Sequence, residues 1–267
     1  MPDGRGASST SRAGEGPVPL LAARAVRKVY RTASTAVVAL DDIDLVVPAG
    51  DFVAVLGPSG SGKTTLLNCL SGLDDIDGGE VLLDGRDIQR MPDAERTRHR
   101  ATTMGFIFQA FNLIPVFDAA ENVELPLLMA GVPDAEARRR ALATLDRVGL
   151  GHRSHHRPAE LSGGEQQRVA IARAIVGTPR VVWADEPTGN LDSETAGQVV
   201  DMLRQLNAAG MTIVLVTHDE GVGAAANRRV RMLDGRIVAD DLGGGLTGRP
   251  PGAPAASDAG SAGGEAP

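Results

Sequence analysis

The sequence contains little cysteine and few aromatic residues, and each scarcity excludes a class of site. Cys69 is the single cysteine in 267 residues, so neither an intramolecular disulfide nor a cysteine metal cluster can form, and a reducing compartment fits the chain. Aromatic residues make up 3% of the sequence. This argues against a lectin-like groove and against a stacking platform for single-stranded nucleic acid, because both rely on aromatic faces.

Long apolar runs and excess positive charge are missing as well. The longest apolar run, Leu125 to Pro133, is broken by prolines and falls short of the ~18 residues that cross a bilayer. Residues 1–17 lack the apolar core of a signal peptide. Lysine and arginine number 27 against 34 acidic residues, a net charge of −7, which gives no general attraction for nucleic acid. We expect a protein that is cytosolic or peripheral to a membrane.

Glycine and proline divide the chain into a folded unit and two tails. Residues 1–17 and about 242–267 are rich in these residues and hold too few large apolar side chains to offset the entropy of ordering them. We expect both tails to be disordered and the folded unit to span residues 18–241. A chain of 267 residues suits one large domain or two small ones.

The hydrophobic pattern of the folded unit predicts an α/β fold. Short apolar runs predict strands buried on both faces, as in a parallel sheet, at residues 53–56, 181–184 and 213–216. Near the N-terminus the pattern predicts antiparallel strands at 43–47 and 81–83, with a hairpin turn at Asp84-Gly85. The predicted architecture is therefore a core with a mainly parallel sheet, which carries a small N-terminal antiparallel β subdomain.

Helical spacing of apolar residues predicts the remaining elements. Val199, Leu203 and Leu206 recur at helical intervals before Gly210, which stops the helix. Ala141, Leu145 and Val148 repeat the arrangement before Gly149. We predict a helical insert at about 93–178.

A glycine-rich loop follows the first buried strand and precedes an apolar helix predicted at Thr65 to Leu73. It fits the phosphate-loop (P-loop) pattern G-x-x-x-x-G-K-[ST] and consists of Gly57, Pro58, Ser59, Gly60, Ser61, Gly62, Lys63 and Thr64. Its backbone N–H groups can surround phosphate oxygens, Lys63 can reach the β- and γ-phosphates, and Thr64 offers a hydroxyl to Mg²⁺. Only two of the 27 basic residues are lysines, Lys28 and Lys63. A chain that otherwise uses arginine thus places a compact ammonium in this loop, which predicts a P-loop nucleoside triphosphatase core.

Two acidic residues close the second buried strand and supply what a nucleotide hydrolase still needs. Asp185 is expected to hold the Mg²⁺ shell, and Glu186 to polarise the attacking water in line with the γ-phosphorus. His218 follows the third strand and can reach the γ-phosphate from the same edge of the sheet.

A second helix N-terminus also has the features of a phosphate site. Ser162 is the predicted N-cap, Glu165 completes a capping box, and the helix runs on to Ile175. Capping alone does not explain the paired Gly163 and Gly164, because glycine costs ~1 kcal/mol against alanine in a first turn. One nucleotide cannot easily touch both helix ends within one compact chain, which suggests that a partner chain presents this one.

Together these residues resemble the ATP-binding cassette of ABC transporters, over about residues 20–241. The resemblance implies that Tyr30 stacks on adenine and that residues 57–65, through Thr65, form the Walker A loop. It makes Gln109 the Q-loop glutamine, which assists catalysis and the metal ion, and residues 161–166 the signature. Asp185 and Glu186 match the Walker B pair, Asp192 lies in the D-loop, and His218 is the switch histidine.

The resemblance further implies a homodimer and a membrane partner. Cassettes of this family bind head to tail and sandwich two ATP molecules with Mg²⁺, each between one chain's Walker A loop and the other's signature. Residues 105–115, 121–127 and 185–192 are most similar to the macrolide-export and lipoprotein-releasing branch. We therefore expect an ATPase at the cytoplasmic face of the plasma membrane that powers a separately encoded permease with few spans, for export or mechanotransmission.

Three interpretations compete with an active transporter subunit. A catalytically dead cassette is disfavoured, because Glu186, Gln109 and His218 are all present. A soluble cassette ATPase acting on ribosomes or DNA resembles two cassettes in one chain, or one cassette split by a coiled coil, and neither suits 267 residues with a charge of −7. An ATPase that gates an extracytoplasmic enzyme in cell-envelope signalling would have the same site, so only the partner distinguishes it.

Overall fold

The structure, a computed structural model, describes residues 19–32 and 34–241. The predicted tails at 1–17 and 242–267 lie outside these residues, as does Val18 at the head of the predicted folded unit. Within the described part of the chain, no helix is both long enough and apolar enough to span a bilayer.

The described chain alternates strands with helices, as predicted. The strands are β1 Leu21–Arg31, β2 Ala36–Val47, β3 Phe52–Leu56, β4 Gly78–Leu83, β5 Arg86–Asp87, β6 Met104–Phe108, β7 Val181–Asp185, β8 Thr212–Thr217, β9 Arg228–Leu233 and β10 Arg236–Asp241. The helices are α1 Lys63–Leu70, α2 Asp93–Thr103, α3 Ala119–Met129, α4 Asp134–Arg147, α5 Gly163–Ile175, α6 Ser193–Ala208 and α7 Glu220–Gly223. Short 3₁₀ turns lie at Gly151–Arg153 and Pro158–Glu160.

The main sheet has six strands in the order β10-β9-β3-β8-β7-β6. Its five strands from β9 to β6 are parallel, and β10 pairs antiparallel with β9 at the edge. Every residue of β3 and β8 is buried, as are the first four residues of β7. The prediction of a parallel core is confirmed, because strands covered on both faces must be apolar along their whole length.

A second, antiparallel sheet of order β2-β1-β4-β5 packs beside the first. The strands predicted near the N-terminus belong to β2 and β4, and the Asp84-Gly85 turn joins β4 to β5 with both residues at positive φ, +49° and +74°. This confirms the antiparallel subdomain and its hairpin. Strand β1 was not predicted, because its buried and exposed residues alternate along only part of its length.

Residues 93–178 are mainly helical, as predicted, but they also contribute strand β6 to the main sheet. Five residues are too few for periodicity to distinguish a strand from a helix, so the pattern missed β6. Helices α3, α4 and α5 bury their own apolar cluster, which includes Val123, Leu145 and Val169. The predicted helix stop at Gly149 is borne out by its φ of +75°.

Helix α1 begins and ends earlier than predicted. It starts at Lys63 rather than Thr65, because Gly62 takes a left-handed conformation with φ +98° and lets the chain turn directly from the loop into the helix. It ends at Leu70 rather than Leu73, and Gly72 follows with φ +66°. Both ends of the helix are thus set by glycine.

Gly105 controls how closely α5 approaches strand β6. A Cβ at this position would lie 2.2 Å from the carbonyl oxygen of Ala174, a backbone atom that cannot swing away. We expect Gly105→Ala to lower the free energy of unfolding in urea by about 3 kcal/mol, the upper end for an overpacked core. The matched control is Gly197→Ala in α6, where an added Cβ meets no atom within 4 Å. It should be neutral or stabilising, and a Gly105→Ala protein as stable as this control would contradict the packing.

Candidate functional site

The phosphate loop lies between β3 and α1, and neighbouring backbone packs tightly against two of its glycines. A Cβ on Gly57 would lie 2.4 Å from the carbonyl oxygen of Met232, and a Cβ on Gly62 would lie 2.5 Å from that of Ala39. Pro58, Ser59 and Gly60 are exposed along the loop, and Gly60 has φ +80°. Glycine is therefore required by sterics at Gly57 and by both sterics and φ at Gly62.

The polar groups of the loop fit a phosphate ligand. Lys63 is 7% exposed, and its Nζ donates to the carbonyl oxygen of Pro58 at 2.9 Å, which folds the ammonium back across the loop. The hydroxyl of Ser61 is buried and has no hydrogen-bond partner among the described residues. A cation and an unpaired donor in a glycine cradle at a helix N-terminus have the chemistry that binds phosphate oxygens.

Thr64 and Asp185 come together although 121 positions separate them in the sequence. The hydroxyl of Thr64 donates to Asp185 Oδ1 at 3.1 Å. Burial raises the pKa of Asp185 above its ordinary value, and the nearby Glu186 adds to the rise, while the Thr64 hydrogen bond opposes it. A hydroxyl and a poorly solvated carboxylate side by side are oxygen ligands of the kind that Mg²⁺ takes.

Glu186 and His218 also lie together, at the ends of β7 and β8. Glu186 Oε1 accepts hydrogen bonds from the backbone N–H of His218 at 3.0 Å and from its Nδ1 at 2.8 Å. Its other oxygen accepts from the hydroxyl of Thr217 at 3.0 Å. Glu186 adopts a φ of +47°, an uncommon conformation for a residue with a side chain. Three donors and a strained backbone thus hold one carboxylate at the sheet edge.

Gln109 follows β6 at the same edge and contacts the segment after Glu186. Its Nε2 donates to Asn190 Oδ1 at 3.4 Å, and Asn190 Nδ2 donates back to the carbonyl oxygen of Gln109 at 2.9 Å. A Cβ on Gly189 would lie 2.6 Å from Gln109 Nε2. The side chain of Gln109 contacts Asn190 on one side and is exposed to solvent on the other.

The predicted capping box opens helix α5. Ser162 Oγ accepts from the backbone N–H of Glu165, and Glu165 Oε2 accepts from that of Ser162 at 2.8 Å. The buried Gly164 has a packing reason, since its Cβ would lie 2.4 Å from Thr195 Cγ2 in α6. Gly163 meets only side chains at 3.6 Å or more. Among the described residues, no hydrogen bond joins 162–165 to the phosphate loop of the same chain.

Asp192 caps the helix that packs on Gly164. Its Oδ1 accepts from the backbone N–H groups of Glu194 and Thr195 at 3.1 and 3.0 Å, and its Oδ2 accepts from the Thr195 hydroxyl at 2.7 Å. These hydrogen bonds, led by the backbone one from Thr195, lower the pKa of Asp192. The first turns of α5 and α6 therefore form one contiguous surface.

Tyr30 lies on β1, and Thr65 near the start of α1 is close enough to influence the pKa of its phenol. The ring is 42% exposed, and its hydroxyl donates to Asp74 Oδ2 at 2.7 Å. The ammonium of Lys28 lies 5.0 Å from the ring centroid. An exposed aromatic next to the phosphate-loop helix is available for stacking.

Arg173, which no sequence pattern predicted, links α5 to the segment after Gln109. Its guanidinium donates to the carbonyl oxygens of Asn112 at 2.5 Å and Phe111 at 2.8 Å. Both residues have positive φ, +51° and +59°, so the arginine holds a backbone that is otherwise unfavourable. Burial lowers its pKa. No local pattern could have identified Arg173, because an arginine on a helix is usually a surface residue.

Comparisons with known proteins agree on one family. Residues 40–189 match the family model described as "ABC transporter". A macrolide export ATP-binding/permease protein, MacB, from Burkholderia pseudomallei (strain 1710b) is 48% identical over 224 residues, which are 84% of this chain and 34% of that protein. A MacB 1/2 protein from Paracoccus denitrificans (strain Pd 1222) is 49% identical over 222 residues, 83% of this chain and 33% of that one. The chain thus spans about a third of the length of these relatives.

Solved structures extend the agreement to the fold. A dimeric structure of MJ0796, described as a bacterial ABC transporter cassette, superposes with a TM-score of 0.78 at 40% identity and covers 85% of this chain and 100% of that one. The same values hold for a dimeric post-hydrolysis state of MJ0796 bound to ADP and Pi.

The raised pKa of Asp185 predicts that its carboxylate lowers the stability of the folded protein at neutral pH. A group whose pKa is higher in the folded than in the unfolded chain stabilises the fold below its unfolded value, and that contribution is lost as the pH rises through the folded value. At neutral pH the charged Asp185 therefore destabilises the nucleotide-free protein. We expect Asp185→Asn to raise the free energy of unfolding at pH 7 by about 0.5–2 kcal/mol.

Urea unfolding at pH 7 and near pH 4 checks this. The gain should shrink at the lower pH, because the raised pKa makes Asp185 take up its proton earlier than an ordinary aspartate as the pH falls. Asp201→Asn on the exposed face of α6 is the control and should change little. An Asp185→Asn protein less stable than the wild type at pH 7 would show that the carboxylate is better accommodated than the burial indicates.

Proposed function

The chain belongs to the ABC transporter family and is an ATP-binding, ATP-hydrolysing cassette of it, and on that premise we propose which of its residues bind and hydrolyse ATP. The observation that carries the proposal is the 3.1 Å hydrogen bond between the Thr64 hydroxyl and Asp185 Oδ1, which joins the phosphate loop to the strand-end carboxylates. Lys63 and the backbone of residues 57–64 bind the phosphates, with Thr65 beside them, and Tyr30 stacks on the adenine.

Thr64, Asp185 and Gln109 would hold Mg²⁺, which would neutralise charge on the phosphates. Glu186 acts as the general base that orients and deprotonates the attacking water. His218 hydrogen-bonds to Glu186 at 2.8 Å and reaches the γ-phosphate from the adjacent strand end. This hydrogen bond and that from the Thr217 hydroxyl at 3.0 Å orient the Glu186 carboxylate and leave it acceptor capacity for the water.

The signature at residues 161–166 completes the site of a second copy of this chain. Ser162 and Gly163 are exposed at the N-terminus of α5, where free backbone N–H groups favour an anion. Their own phosphate loop makes no hydrogen bond to them within the described residues. Two copies arranged head to tail would place each signature, with Ser162, Gly163, Gly164 and Glu165, on the partner's nucleotide, and Asp192 next to the same interface.

The dimer drives a membrane permease from the cytoplasmic face of the plasma membrane. The relatives that share 48–49% of their aligned residues with this chain are described as ATP-binding/permease proteins for macrolide export, and the chain corresponds to about a third of each. The resemblance of residues 105–115, 121–127 and 185–192 to the macrolide-export and lipoprotein-releasing branch favours a permease with few membrane spans, and export or mechanotransmission as the work. Nucleic acid is not an expected partner, since the net charge is −7.

Glu186→Gln tests the catalytic proposal. The amide keeps the shape of the side chain but cannot accept a proton, so we expect ATP turnover to fall by about 10²–10³-fold. ATP binding should survive, and sedimentation should show a dimer that persists with Mg²⁺-ATP. Glu80→Gln, which only breaks a surface ion pair with Arg24, is the matched control. Unchanged turnover in Glu186→Gln would remove this residue from the role of general base.

The same variant tests the membrane partner. Tagged Glu186→Gln should capture a few-span membrane protein with a large extracytoplasmic domain from detergent-solubilised membranes when Mg²⁺-ATP is present. Recovery of only ribosomal, nucleic-acid or soluble proteins, while the ATP dimer still forms, would contradict the transporter assignment and leave the ATPase assignment in place.

A further inference from the structure

Tyr30 is held by two charged groups that come from different parts of the fold. Its hydroxyl donates to Asp74 Oδ2 at 2.7 Å, and Asp74 lies in the loop just after helix α1. Lys28, two positions before Tyr30 on β1, donates to Asp74 Oδ1 at 2.7 Å and to the carbonyl oxygen of Asp75 at 2.6 Å. The carboxylate of Asp74 is thus shared between the phenol and the ammonium.

Lys28 covers one face of the tyrosine ring. Its Nζ lies 5.0 Å from the ring centroid, within the range of a cation–π contact. The lysine is 9% exposed and the tyrosine 42%, so the cation is buried while the ring keeps a large open surface. A base that stacks on Tyr30 must therefore use the part of the ring that the ammonium leaves free.

The two lysines of the chain are Lys28 and Lys63, against 25 arginines. Both are buried, at 9% and 7% exposure, and they lie at opposite ends of α1. Lys63 folds over the phosphate loop where α1 begins, and Lys28 binds the loop where α1 has ended. The compact ammonium of Lys28 donates to two oxygens while it also lies near the ring face of Tyr30.

On the basis of the function proposed above, we propose that Asp74 and Lys28 are positioning residues that fix the Tyr30 ring for the nucleotide base. Helix α1 then ties the two halves of the site to one rigid element, because Lys63 is at its first residue and Asp74 follows its last turn.

The ionisation of the three groups agrees with this geometry. Burial and the hydrogen bond to Asp74 raise the pKa of Tyr30. Burial opposes the charge on Asp74, but the hydrogen bonds from Lys28 and Tyr30 outweigh it and lower the pKa of Asp74. Besides Lys28 and Asp74, the groups that face the phenol are Thr65 and Cys69 of α1. We call the contacts of Lys28 and Asp74 with Tyr30 the clamp. The clamp is therefore intact at neutral pH, with Asp74 and Lys28 charged and Tyr30 neutral.

Calorimetry with two ligands, ADP and inorganic pyrophosphate, separates the base platform from the phosphate loop. We expect Asp74→Asn and Tyr30→Phe each to weaken ADP binding about five- to tenfold, the scale of a partly lost base stack, and to leave pyrophosphate binding within about twofold. The double variant should bind ADP no more weakly than the worse single variant, because both changes break the same contact. Glu80→Gln on the neighbouring strand is the control and should bind both ligands as the wild type does.

Two results would overturn the proposal. One is ADP binding at wild-type affinity in both Asp74→Asn and Tyr30→Phe. The other is an equal loss of ADP and pyrophosphate binding in Asp74→Asn, which would indicate a distorted phosphate loop instead of a displaced ring.

A spectrophotometric titration tests the clamp without any nucleotide, so the proposed function can fail separately. Tyr30 is the only tyrosine and Trp183 the only tryptophan, so phenol absorbance reports Tyr30 and fluorescence reports whether the core stays folded. Asp74→Asn should lower the pKa of Tyr30 toward its ordinary value of about 10. An unchanged pKa would overturn the clamp. If instead the wild type and Lys63→Ala bound ADP equally poorly, the proposed function would fail while the titration still decided the clamp.

Discussion

The register between parallel strands brings the phosphate loop, Gln109, Asp185, Glu186 and His218 to one edge of the main sheet. Strand β8 pairs Thr217 with Leu56 of β3, and β7 pairs Asp185 with Val216 of β8 and with Phe108 of β6. The residues that follow these pairs leave the sheet along one edge. They are the phosphate loop, Gln109, Glu186 and His218, and a shift of one residue in any strand would move a carboxylate or a cation to the wrong depth. The apolar strands thus stabilise the core and also fix the positions of the site residues relative to one another.

Glycines allow the helices and loops around the main sheet to pack closely against it and against one another. Gly105 lets α5 lie directly on β6, Gly164 lets the start of α5 meet α6, and Gly189 leaves room for Gln109. Arg173 on α5 then binds the strained backbone after Gln109. Helix α5 and the segment after Gln109 are consequently one packed unit.

The parts of the site that the sequence predicted are those coded by local pattern. The phosphate loop has a fixed spacing between a strand and a helix, and Asp185, Glu186 and His218 each follow an apolar run, so their shared edge followed from the geometry of parallel sheets. Strand β6 was missed because five residues carry no clear period. The left-handed backbone of Glu186, the link from Arg173 to the Q-loop and the clamp of Lys28 and Asp74 on Tyr30 could not be predicted, because they depend on contacts between residues far apart in sequence.

If each ATP site is shared between two copies of the chain, mixing two inactive variants should restore ATP turnover. Lys63→Ala damages the phosphate loop and Ser162→Arg blocks the signature, so each homodimer has two defective sites. Because a mixed dimer has one intact site, mixing should restore part of the ATP turnover. Mixing Lys63→Ala with Glu186→Gln is the control and should restore none, because both defects lie on the same side of the shared site. Recovery in neither mixture, with mixed dimers shown to form, would contradict the shared site.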